Sequence, residues 1–142
     1  MPMKKYLYAL MFLLITGVSL MAQTVKKNTP AGIIFFDGSL PAFEILLQDS
    51  GKPGFVFLYS AGQRESAAIK RLLEDESVIN YVDSAYHAYK TDVTENPQLA
   101  LKYGIENVPC LIIIDKNLRE RSRIYGYRTP ADFINLLKQV FE

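Results

Sequence analysis

One cysteine, one histidine and no tryptophan occur among the 142 residues. A single thiol makes no disulfide within the chain. One histidine and one cysteine fall short of the three or four ligands of a zinc centre, so no metal site is expected. Neither sign of charge is in excess. The net charge is +1, which leaves no basic footprint for nucleic acid. Internal repeats, low-complexity tracts and a compositional break between domains are lacking as well. What remains is 49% apolar and 22% charged. That balance suits an ordinary globular chain and excludes a disordered, collagen-like or disulfide-stapled one.

The one long apolar run lies at the start. Lys4 and Lys5 precede Tyr6–Met21, which carries no charge, and the polar stretch Thr24-Val25-Lys26-Lys27-Asn28 follows. A basic start, an apolar stretch and a small residue at its end read as a secretory signal peptide over residues 1–22, cleaved after Ala22. A cut after Ser19 and an uncleaved N-terminal anchor are the alternatives. The run is short of the roughly 20 residues of a spanning helix, and no cysteine near the cut offers a lipid attachment point. The expected location is therefore exported, in the periplasm, with no membrane association after cleavage. Loss of Lys4 and Lys5 makes the net charge −1. Residues 23–31 are polar, contain Pro30, and read as a flexible leader. Residues 32–142 fit one domain with one core.

Within that domain, Gly32–Phe36 is a short apolar and aromatic run, predicting a strand. Ser39 caps a helix with Pro41 in its first turn, and Leu40, Phe43, Leu46 and Leu47 recur at helical spacing. The cluster Asp49–Gly54 ends it. Phe55–Tyr59 is continuously apolar, as in a strand buried on both faces. Glu65–Leu73 is helical, and Val78, Ile79 and Val82 continue a helical pattern after a break at Asp75-Glu76-Ser77. His87–Val93 reads as a strand and Pro97–Tyr103 as a short helix, with Gly104 at its C-cap. Cys110–Ile114 is a second buried strand. Asp115-Lys116-Asn117 turns it into a more polar antiparallel strand, Arg119–Tyr127. Thr129-Pro130-Ala131-Asp132 is a helix start with the capping-box pattern, and Phe133, Ile134, Leu136, Leu137, Val140 and Phe141 form a wide apolar face. The order β-α-β-α-α-β-α-β-β-α implies a central mixed sheet with helices on both faces.

That order resembles the thioredoxin-like superfamily, specifically secreted bacterial members. The resemblance rests on the buried strand Phe55–Tyr59 leading into a loop and long helix, and on Val108-Pro109 ahead of the buried strand Cys110–Ile114. Tyr103-Gly104-Ile105, the hairpin Asp115-Lys116-Asn117, the segment Asp75–Ile79 and the lead-in Lys52-Pro53 agree with it. It covers residues 32–142 and implies an α/β fold, a three-layer α/β/α sandwich with a central mixed sheet. It also implies that Val108-Pro109 is the cis-proline facing the family's redox site, beside a groove where an extended peptide or protein partner docks.

The chemistry of the family is missing. The position of its Cys-x-x-Cys is taken by Gly62-Gln63-Arg64-Glu65, and no cysteine occurs between residues 1 and 109. The aromatic residue that precedes the motif is Ala61. Val56 stands where the family keeps a buried acid. Dithiol exchange needs an attacking thiolate and a second thiol to resolve the mixed disulfide, so dithiol-disulfide oxidoreductase activity is not expected, nor is any cofactor. The helix start after Gln63 retains a positive dipole end, which suits an anion unless Glu65 satisfies it.

Cys110 follows the cis-proline position. It is either a small apolar residue opening a buried strand or the thiol of a single-cysteine redox enzyme or sensor, with His87 or Arg64 approaching in space. A lone cysteine in an exported protein also allows a dimer linked through Cys110. His87 reads as an edge residue rather than a base, and Ser60 and Ser66 as helix-capping hydroxyls. Tyr59, Tyr81, Tyr86, Tyr89, Tyr103, Tyr125 and Tyr127 read as core or edge residues whose hydroxyls reach water. Alternation puts Arg119, Arg121 and Arg123 on one strand face, in a basic stretch with Lys116 and Arg128 that is either solvated or a docking surface. The favoured reading is a redox-inactive binding or scaffolding domain of the bacterial envelope, using the groove at Val108, Pro109 and Cys110.

Overall fold

The structure, a computed structural model, describes residues 31–142. The expected signal peptide and, apart from Ala31, the expected leader lie outside the described residues. The elements are α1 (Leu40–Ser50), β1 (Gly54–Tyr59), α2 (Arg64–Leu73), α3 (Glu76–Ala85), β2 (His87–Asp92), α4 (Pro97–Lys102), β3 (Cys110–Ile114), β4 (Glu120–Tyr125) and α5 (Pro130–Gln139).

The four strands lie in the order β2-β1-β3-β4. β1 runs parallel to β2 and antiparallel to β3, and β3 and β4 are antiparallel, so the sheet is mixed. β1 sits inside the sheet with both faces covered, which is why it is apolar without alternation. Phe55 and Phe57 point into a core built with Ile69, Leu72, Val78 and Phe133, the face covered by α2, α3 and α5. Val56 and Leu58 point the other way, into a core with Phe43, Leu47, Leu99 and Ile112, the face covered by α1 and α4. The result is the three-layer α/β/α sandwich.

Helix ends follow their capping chemistry. The Ser39 side chain accepts from Ala42 N in α1, and Asp75 caps α3 through Ser77 N and Val78 N. The Thr129 hydroxyl accepts from Asp132 N at 3.2 Å and donates to Asp132 Oδ2 at 2.7 Å, closing the start of α5. Between α1 and β1 the chain passes so close to the helix that a Cβ on Gly54 would lie 2.6 Å from Leu47 Cδ1.

Two expectations need correction. The strand expected over Gly32–Phe36 shrinks to one parallel bridge, Phe35 to Ala88. Its backbone is diverted: Ile34 N donates to the Asp83 carboxylate at 3.1 Å rather than to a strand carbonyl. Phe36 N reaches Ala88 O at 2.7 Å before the chain turns into α1. The three arginines expected on one face are also divided. A bulge at Ile113/Ile114 pairs Glu120 with Ile114 but Ser122 with Ile113, so the extra residue breaks the alternation. Arg121 lies 4.0 Å from Asp115 and over the Phe141 ring. Arg123 turns instead to Glu120 and the end of α4.

Candidate functional site

Register decides which loops share an end of the sheet. Tyr59 pairs with Asp92, Leu58 with Cys110, and Cys110 with Tyr125. The loops after β1, after β2, before β3 and after β4 therefore gather at the same end. They bring together the quartet Gly62-Gln63-Arg64-Glu65, the segment Val108-Pro109-Cys110 and the turn at Gly126. His87 pairs with Gly54 at the opposite end of β1. Four residues of strand, about 13 Å, separate that row from the Leu58–Cys110 row, so His87 does not approach Cys110.

Gly62, Gln63, Arg64 and Glu65 are all exposed. Gln63 is the N-cap of α2 without a side-chain hydrogen bond to it. Among the described residues, Glu65 does not close the helix end, and Arg64 N, Glu65 N and Ser66 N have no hydrogen-bond acceptor. Ser66 is buried, and its hydroxyl accepts from Ser60 N at 3.2 Å. It thus shapes the loop, as a capping residue would, and is not presented as a nucleophile.

The Val108–Pro109 peptide is cis. Val108 is half-buried and Pro109 buried. Ahead of them the chain leaves α4 through Gly104 at φ 59°, a left-handed conformation that glycine adopts freely. Arg123 secures this stretch from β4. Its guanidinium donates to Tyr103 O at 2.7 Å and Gly104 O at 3.3 Å, while Glu120 accepts from its Nε and Nη2. The Glu120 hydrogen bond, above all, holds the arginine pKa above its already high ordinary value.

Cys110 is completely buried, 0% exposed, between Leu58 and Tyr125 on the neighbouring strands. Burial pushes its thiol pKa up, and the Tyr125 hydrogen bond and the Arg123 charge only partly oppose this. A thiol that is inaccessible and protonated is a poor nucleophile and metal ligand. Its sulfur has no route to a second copy while β3 stays paired. Val56, at the position of the family's buried acid, is also completely buried and packs in the α1 core. No group of three or more His, Cys, Asp and Glu suited to a metal occurs among the described residues.

Asp92 is the residue that pattern reading passes over. It is 8% exposed at the end of β2. Its carboxylate accepts from Ala61 N at 3.0 Å, Thr94 N at 2.9 Å and the Thr94 hydroxyl at 2.7 Å. One side chain thus fastens the loop after β1 to the loop after β2. The Thr94 hydroxyl bond, first among these, holds the Asp92 pKa below the usual carboxylate value. The signal available in sequence was Asp-x-Thr after a strand, an Asx-turn pattern. Its partner Ala61 lies too far along the chain to be read. Two tyrosines also depart from expectation. Tyr86 donates to Leu137 O at 3.0 Å within the core rather than to water, and the Tyr103 hydroxyl is buried without a partner among the described residues.

No family profile matches the chain. A curated relative, the SPbeta prophage-derived thioredoxin-like protein YosR of Bacillus subtilis (strain 168), is 31% identical over 64 residues, covering 44% of this chain and 79% of that protein. The chain belongs to the thioredoxin-like family. Solved structures agree on the fold of this thioredoxin-like protein. A thioredoxin from Thermus thermophilus superposes with a TM-score of 0.67 at 22% identity, covering 78% of this chain and 88% of that one. The DsbH oxidoreductase gives 0.67 at 14% identity, covering 82% and 91%. The thioredoxin of Trypanosoma brucei brucei gives 0.63 at 13%, covering 81% and 96%.

Proposed function

We propose that this thioredoxin-like protein is a redox-inactive binding or scaffolding module of the bacterial cell envelope, docking an extended peptide segment beside Val108–Pro109. The observation that carries the reading is chemical. The fold presents the loop, the helix start and the cis-proline of a redox site, and places at the helix start Gly62-Gln63-Arg64-Glu65, none of which carries a thiol. The one thiol of the chain is sealed inside β3. What is left is recognition by backbone pairing, the mode in which an extended peptide adds a strand to an exposed edge. Export rests on the N-terminal basic and apolar stretch. Among the described residues no helix is long and apolar enough to cross a membrane.

The test has two arms. Reduction of the insulin disulfides by dithiothreitol is followed with and without the protein. The reading expects no acceleration above the uncatalysed rate, and catalytic turnover overturns it. In the second arm, 15N spectra are recorded during titration with a library of extended peptides. Shifts confined to residues 61–65 and 106–110 are the expected result, and shifts elsewhere on the molecule overturn the docking site.

A further inference from the structure

The two helices on the Val56 face of the sheet, α1 and α4, turn an outer surface to solvent that is poor in charge. Pro41, Ala42, Ile45 and Gln48 are all exposed. Positions 41, 45 and 48 recur at i, i+4 and i+7 on one stripe of α1, away from the buried Leu40, Phe43 and Leu47. On α4, Gln98 and Leu101 are exposed. Ile45 is 57% exposed and Leu101 73%. The solvent face of a surface helix is ordinarily charged or polar, as in α2, which exposes Arg64, Glu65, Arg71 and Glu74. Large apolar side chains grouped on neighbouring helices mark an interaction surface.

The surface is arranged about its own middle. α1 runs Leu40–Ser50, so Ile45 is its central residue. Lys102 of α4 pairs with Glu44 of α1, which sets Leu101, the neighbour of Lys102, beside that centre. The remaining charge on the two helices is Asp49, which makes no ion pair among the described residues. It stands in the last turn of α1, at the negative end of the helix dipole, while the first turn has no acid to meet the positive end and the last turn no base. A second α1 laid antiparallel, centre on centre, corrects both ends. Residue 49 of each helix then lies against residue 41 of the other, and residue 48 against residue 42.

We infer that the α1–α4 face binds a second copy of this chain, forming a two-fold dimer with the α1 helices antiparallel. Each Ile45 meets its own counterpart, as does each Leu101, and each Asp49 lies by the first turn of the opposite α1. In a two-fold pair one patch must be its own complement, and a face without an excess of either charge meets its image without repulsion. An α1 of about 16 Å and an α4 of about 9 Å, side by side, make a small face. The pair buries less than about 1,200 Å² in total, the size of weak and reversible associations. None of these residues belongs to the Pro109 groove, so the two readings stand or fall separately.

The test is sedimentation velocity of the full exported chain from about 1 μM to about 1 mM, with dithiothreitol present so that no intermolecular disulfide contributes. A reversible monomer–dimer equilibrium is expected. Ile45→Lys and Ile45→Glu each set like charges against each other at the dyad and should weaken the dimer by about tenfold or more. Mixed in equal amounts, the two variants should regain association, because lysine then faces glutamate. Ile34→Lys, at an exposed apolar residue beside α3, leaves the dimer unchanged. Ile45 is exposed, and unchanged unfolding temperatures confirm that the variants fold. A monomer throughout the range, a dimer indifferent to both Ile45 variants, a mixture that associates no better than either variant alone, or dissociation by Ile34→Lys overturns the assignment. So does cosedimentation of the wild type, but not of Ile45→Lys, with phosphatidylcholine vesicles in the absence of self-association, which would assign the face to a lipid surface.

Discussion

Asp92 and Arg123 hold the two loops that frame the candidate groove, each through a single side chain. Asp92→Ala removes acceptors from Ala61 N and both Thr94 donors at once. The Ala61 amide is then expected to exchange with solvent at least about tenfold faster, with smaller changes in the strand amides, as hydrogen exchange read by NMR will show. At Cys110 two substitutions separate a core residue from a reactive one. Cys110→Ala leaves a small cavity and should cost about 1 kcal/mol in denaturant unfolding. Cys110→Ser buries a hydroxyl and should cost more, about 1–3 kcal/mol. An accessible thiol would tolerate serine best. His87 adds a pH dependence at the far end of β2. Burial, with help from the Lys52 charge, lowers its pKa from 6.5, so the unfolded chain takes up the proton more readily than the folded one. Its contribution is present above pH 6.5 and is lost as the pH falls through the depressed value. Urea unfolding of the wild type should show a fall in stability there that His87→Gln flattens.

Among the elements, those with continuous apolar runs were legible and those defined by pairing were not. Phe55–Tyr59 and Cys110–Ile114 announce themselves because both faces are covered, so every side chain must be apolar. The α5 start was equally plain, since Thr129, Pro130 and Asp132 each serve a local capping role. Thr129→Ala should cost about 1 kcal/mol by thermal or denaturant unfolding. Gly32–Phe36 looked like a strand because the run is apolar and aromatic, a composition that reads the same whether one residue pairs or five do. The bulge between β3 and β4 was hidden for the same reason: it is a property of two strands, and the arginine alternation in one strand carries no trace of it. Gly54 belongs to this group as well. Its need for a missing Cβ arises from Leu47 on a neighbouring element, and Gly54→Ala is expected to destabilise the protein by about 1–3 kcal/mol through that overlap, measured by the same unfolding curves.

For the whole molecule, the order of elements anticipated a mixed sheet that brings the β1, β2, β3 and β4 loops to one end, while the choice of residues within those loops came from the family resemblance. The absence of a dithiol was likewise legible, since it required only that no cysteine precede Cys110. What could not be read was the hardware around the site: the reach of Asp92 to Ala61, and of Arg123 to Tyr103 O, spans chain separations that no local pattern records. We propose that this thioredoxin-like protein keeps the scaffold with its one thiol, Cys110, sealed in the core. Alkylation of Cys110 as a function of pH, in the folded protein and in denaturant, tests it most directly. Folded-state labelling is expected to be at least about 100-fold slower than in denaturant, limited by opening of the structure. Rapid labelling of the folded protein, with a midpoint well below the free-thiol value of about 8.5, would contradict it.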